Sequence, residues 1–264
     1  MSRRYFQFPL CALSYSASER ERLDHIISYA CVEHGKRRWH KASSEERRRY
    51  RSARESPAKS ESGINLRDDV HLQTTMGASH INVKIGSVTD MLERHQRLAN
   101  FISSFEQQHR RDAQVRIVTN WVFEARDKRG ISYIELAALI AIYSKIGAKK
   151  SALRITQDEI WRRAQGFKSH LVFQAASNFT AKFTKGQIRS AVARLHARKF
   201  FSRVTYARRQ TFYSHRLTAS QLADSIVKKK TLGFAAAKAR KLADEAVTLR
   251  VRAELNRLAQ PPPL

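Results

Sequence analysis

Between Ile160 and Ala223 the sequence holds no Asp or Glu across 64 residues, while thirteen Lys and Arg are spread through the same stretch. An ordinary protein, with about a quarter of its residues charged, would place roughly eight acids there. The chemistry such a segment suits is the binding of phosphate: cations give the attraction, and the missing carboxylates remove the repulsion. The whole chain leans the same way, with 50 Lys+Arg against 23 Asp+Glu and a formal charge of +27 over 264 residues. Self-repulsion at that level favours a polyanionic partner. An anionic membrane surface or an acidic protein would also satisfy it.

Catalytic chemistry finds little support. Asp68, Asp69 and His71 place two carboxylates beside an imidazole, but no second cluster with ligand spacing accompanies them. Phosphate-cradling, dinucleotide-binding, zinc-protease and CxxC motifs are missing from the sequence. No catalytic residue, metal ligand or cofactor is therefore assigned, and a metal-dependent nuclease is the weakest of the readings carried forward. Cys11 and Cys31 form no pair motif. The opening MSRRYFQFPLCALSYSASER is broken by Arg, Gln and Ser, unlike a secretory segment. Both features fit a reducing cytoplasm, with buried thiols. No stretch reaches the roughly 20 apolar residues of a membrane span. ISYIELAALIAIYSKIGA comes nearest, and its Glu135 and Lys145 make it a core helix.

The elements that would hold the basic surface follow from spacing. Residues 4–12 look extended. Ser18 and Glu21 have capping-box spacing and start a helix that Gly35 should end. Residues 36–60 carry ten Lys/Arg against three Glu, which suits either a basic arm on phosphate or a solvated, partly helical linker. The sequence up to about Ala78 has no clear period and reads as an irregular loop. From Val88 to Phe105 one apolar face, with His95 on it as a packed residue, marks a long helix. Residues 115–126 lead into another. Beyond 131 the order is helix (132–146), short strand (152–156), helix opened by Thr156 with Glu159, a looser section (167–183), helix capped by Thr184, and a hairpin over 200–217. Tyr206, Phe212 and Tyr213 alternate with basic residues there. That suits base stacking, but alternation also sends them to the hairpin's core face. Two helices should fill 219–258, one of them with a stripe of Leu242, Ala246, Leu249 and Ala253. That stripe either packs back onto the body or forms a homodimer contact.

RITQDEIWRRA, TKGQIRSAVARLHARKF and FSRVTYARRQTFYSHRL together resemble the second helix, third helix and wing of the winged helix-turn-helix superfamily. The likeness spans about residues 131–218. It departs in the link between second and third helices, which is about 18 residues instead of a short turn. The opening of the chain is also loosely similar to plasmid and phage replication initiators. The resemblance implies a mainly α fold: a winged helix (three helices and a β-hairpin wing) with an added N-terminal α-rich region and C-terminal helices. The expected segments are 1–35, a basic arm at 36–80, a long helix and connector at 81–130, the winged helix at 131–218 and the C-terminal helices at 219–264. It implies that the third helix enters a major groove. Lys185, Gln187, Arg189 and Ser190 would then face the bases, Gln187 suited to adenine and Arg189 to guanine. Arg194 would reach the backbone. Lys168 and Lys182 would hold phosphates, Arg203 would lie in the wing, and Arg208 and Arg209 at its tip. The expected partner is duplex DNA, in transcription regulation or replication initiation, with RNA as the competing partner.

Overall fold

In the computed structural model, residues 5–52, 66–81, 87–109, 114–127, 130–147, 152–176, 180–207 and 210–258 are described. They are mainly helical and fall into two compact units: Met1–Lys149 with Ile155–Phe201, and Lys150–Arg154 with Ser202–Leu264. The expected segment 131–218 is thus divided, its helices in the first unit and its strands in the second.

The first unit opens with strand β1 (Tyr5–Pro9), which buries Phe6 and Phe8 and pairs antiparallel with β2 (Gln114–Val118), Phe8 opposite Val115. A buried 3-10 turn, Leu10–Ser14, follows β1. Helix α1 (Glu19–Lys41) starts at the Ser18–Glu21 capping box and runs past Gly35 instead of ending there. The reason is a crossing with α3 (Leu66–Ile81), which occupies the stretch expected to be irregular. A Cβ on Gly35 would overlap the Gln73 carbonyl, and one on Gly77 would lie 2.7 Å from the Gly35 nitrogen. Glycine here serves close backbone approach, not a turn. Between them, α2 (Ser44–Ser52) takes up part of the basic segment. Trp39, Ala42, Leu72 and Met76 form a cluster under this corner. Helix α4 (Val88–His109) buries Met91, His95, Leu98 and Ile102. His95 stacks on Tyr29 with ring centroids 5.5 Å apart, and its Nε2 lies 3.1 Å from Glu33 Oε1, as a packed residue would. Helix α5 (Thr119–Arg126) follows β2 and is tied to α1 by Arg126–Asp24 at 3.2 Å.

Four more helices complete this unit: α6 (Tyr133–Ile146), α7 (Gln157–Ala164), α8 (His170–Ala175) and α9 (Lys185–Ala197). Leu136 to Ile142 of α6 are wholly buried, and α7 and α9 pack against α6 and each other. The Thr156–Glu159 box is half formed. Thr156 Oγ1 accepts from the Glu159 N–H at 3.1 Å, but the Glu159 carboxylate is drawn to Lys145 and Arg163 instead. Gly166 ends α7 at φ +99°, where a Cβ would also lie 2.6 Å from the Ser14 nitrogen.

The second unit is a three-stranded antiparallel sheet with one helix. Strand β5 (Gln210–Ser214) lies between β3 (Leu153–Arg154) and β4 (Ser202–Tyr206). Helix α10 (Ala219–Leu258) sets Leu222 and Ile226 against Ala152 and Phe212. It is a single helix of 40 residues where two were expected. Gly233 does not break it, because an exposed glycine inside a helix costs only about 1 kcal/mol. Among the described residues no helix is long and apolar enough to cross a membrane.

Candidate nucleic-acid interface

Helix α9 is held from one side only. Ile188, Ala191, Val192 and Leu195 recur at helical spacing and are buried. Gly186, Arg189, Ser190, Ala193 and Ala197 lie on the exposed surface. Arg189 and Ser190 have no hydrogen-bond or ion-pair partner among the described residues. Gly186, Ser190 and Ala193, near Arg189 on the helix, have small side chains, and Lys185 lies one turn before it. The fold does not require glycine at 186: a Cβ there would meet only Thr184 Oγ1, at 3.9 Å.

The other residues expected at the interface divide sharply. Gln187 closes the helix's capping box, its Oε1 accepting from the Thr184 N–H at 2.8 Å. The oxygen that a bidentate contact to adenine needs is engaged there. Lys185 Nζ lies 2.6 Å from Asp158 and 5.3 Å from the Trp161 ring centroid. That exposed pair is weak enough to exchange for a phosphate. Arg194 Nε binds Glu135 Oε1 at 2.6 Å and so ties α9 to the start of α6. Arg198 shares the same carboxylate at 3.9 Å and also donates to the Gly130 carbonyl. Burial opposes ionisation of Glu135. The Arg194 hydrogen bond and the Ser132 backbone N–H outweigh it and hold the carboxyl below its usual range.

Lys182 departs furthest from its expected role. Its Nζ donates to the Leu13 and Tyr15 carbonyls at 2.8 and 2.7 Å. Burial, with the nearby Arg22, lowers its pKa to about 7. It fastens the segment before α9 to the 3-10 turn near the start of the chain, so its amine is engaged within the fold. Lys168 is exposed. In the second unit Arg203 lies on β4, half-buried and opposite Tyr213. Arg208 and Arg209 lie outside the described residues. Phe212 and Tyr213 are buried, as core packing of the hairpin requires. Tyr206 is half-buried, with Lys230 Nζ 5.9 Å from its ring centroid.

Compared with protein-family models, curated proteins and solved structures, the chain matches none. Its reading rests on its own geometry. Two residues that sequence reasoning passed over make the long link before α9 workable. Gln165 is fully buried; its Nε2 donates to the Phe183 carbonyl at 2.9 Å and its Oε1 accepts from the Lys182 N–H at 3.0 Å. Trp161 Nε1 donates to the same carbonyl at 2.7 Å. Both sit on or just after α7 and pin the far end of the link beside it. Phe167 and Phe173 add edge-to-face contacts at 5.2 Å. The only signal in the sequence was an aromatic-rich, acid-free link. Asp68, Asp69 and His71 fall on α3, and among the described residues no group of three or more His, Cys, Asp or Glu comes together.

Proposed function

We propose that this chain binds duplex DNA through the exposed face of α9, without catalysis, as a cytoplasmic regulator of transcription or initiator of replication. The observation that carries the reading is Arg189: a cation with no hydrogen-bond or ion-pair partner among the described residues, on an exposed helix face, inside a 64-residue stretch without one carboxylate. Arginine reads guanine bidentately in a major groove, and small neighbours let the helix backbone come close to the bases. Further support comes from connectivity. The order α6, β3, α7, α8, α9, β4, β5, with β3 pairing to β5, is similar to that of a winged helix with one added helix, α8. On this reading Lys168 and Lys199, both exposed, contribute to phosphate binding, and Lys185 joins them by releasing Asp158.

Salt-dependent binding of the purified chain to random duplex DNA, single-stranded DNA and RNA tests this, with Mg²⁺ present in one series. Steep salt dependence, preference for duplex DNA and intact strands are expected. Preference for single strands or RNA, or cleavage of the duplex, would refute it.

A further inference from the structure

We propose that α10 is a homodimerisation helix, in which residues 232–253 of two copies pair in parallel and in register. Leu222 and Ile226 commit the start of the helix to its own unit, and Lys229 Nζ adds a hydrogen bond to the Ala152 carbonyl at 3.1 Å. From Thr231 to Arg252 every residue is exposed, including Leu232 (61%), Leu242 (56%) and Leu249 (65%). No described residue of its own unit therefore covers this part of the helix.

Leu232, Ala235, Ala239, Leu242, Ala246, Leu249 and Ala253 follow one another at steps of three and four residues without interruption. A helix lying on a globular body shows a broader stripe with a 3.6-residue period. A strict three-four alternation is the seam of two helices supercoiled about each other. Over these 22 residues the seam would be about 33 Å long. In it Leu232, Ala239, Ala246 and Ala253 occupy the first core position of each heptad, and Ala235, Leu242 and Leu249 the second. Leucine layers supply apolar area, and alanine layers let the axes approach.

Charge is compatible with a second copy in parallel, the proposed orientation. Glu245 and Arg250 flank the seam on opposite sides, five residues apart, where a parallel in-register pair brings each against the other's partner. Glu245 would face the partner's Arg250 and Arg250 the partner's Glu245, while Lys238 would face the partner's Ala243. An antiparallel pair centred between Leu242 and Ala246 would oppose Glu245 to the partner's Glu245, and one centred between Ala239 and Leu242 would oppose it to the partner's Lys238, a pairing that the double swap of Glu245 and Arg250 would not restore. Among the described residues Glu245 makes an exposed pair with Lys241 at 3.8 Å, which costs little to rearrange. Asp244, Glu245 and Glu254 interrupt the cations of this helix, so it lacks the acid-free character of residues 160–223.

The inference does not rest on nucleic-acid binding, and its test needs no nucleic acid. Sedimentation of the full chain over a micromolar dilution series should show a reversible dimer. Leu242→Asp and Leu249→Asp should each give a monomer with unchanged helix content by circular dichroism. Phe234→Asp, which lies off the seam, should leave the dimer intact. Glu245→Arg and Arg250→Glu should each weaken association roughly tenfold, since two exposed pairs are affected. The double swap should restore it. A chain monomeric at every concentration, a dimer indifferent to Leu242→Asp, or a double swap that fails to restore association would each overturn the proposal.

Discussion

Two basic regions of this chain differ in what surrounds their charge. In the corner formed by α1 and α2, cations are answered locally. Lys36 pairs with Glu33 at 3.0 Å, Arg38 with Glu46 at 3.2 Å and Arg49 with Glu45 at 2.6 Å, and Arg47 lies over Trp39. The stretch around α9 has no acid of its own and takes carboxylates from elsewhere. Glu135 on α6 engages Arg194 and Arg198, and Asp158 on α7 engages Lys185. Among the described residues Arg189, on the exposed side of α9, is left without a carboxylate, as are Lys168 and Lys199. A count of charge along the chain finds both regions. Only the spatial arrangement separates cations that build the fold from a cation free to meet a ligand.

Removing Glu135 is the strongest way to break this contrast. Glu135→Ala takes away the tie to α9 and the carboxylate that caps the Ser132 N–H. A loss of about 3 kcal/mol in urea unfolding is expected from charged hydrogen bonds plus a helix cap. Arg189→Ala should leave stability unchanged and cost about 1–3 kcal/mol of binding, confined to one base pair of the target. Lys182→Met should do the reverse. It leaves two carbonyls without their donor, costing about 1–2 kcal/mol of stability, with DNA affinity unaltered.

Lys182 also carries a pH signature. Its folded pKa of about 7 lies below the ordinary lysine value of 10.5, so between them the unfolded chain binds more protons. Its contribution to stability therefore rises from pH 7 toward 10.5, and below pH 7 the cost of burying the ammonium is fully present. Denaturant melts across that range should show the slope in the wild type and lose it in Lys182→Met. The smallest effect belongs to the other region. Arg49→Ala removes an exposed pair and should change stability by less than about 0.5 kcal/mol, without altering the salt dependence of DNA binding.

What could be read from the sequence was local. The Ser18–Glu21 box, the Thr184 cap and the apolar face of α4 each lie within a few turns of one helix, where spacing alone decides them. Helix α3 escaped because the buried side it presents includes Thr74, Gly77 and Ala78, which carry no hydrophobic period. Gly35 was read as a stop because its need is set by Gln73 and Gly77 on another helix. The engagement of Lys182 could not be foreseen for the same reason: its acceptors lie 169 and 167 residues away. Arg194 and Glu135, 59 residues apart, could not be paired in advance either. The exposed face of α9 was legible because a helix with one apolar side must turn its other side outward.

The central claim is that this face reads a DNA sequence, and Arg189 is its test. Selection from a random duplex pool should be run in parallel with the wild-type chain and with Arg189→Ala. The account predicts an enriched motif containing a guanine that the variant no longer requires, with the remaining positions kept. An identical motif from both proteins, or no motif from the wild type, would contradict it.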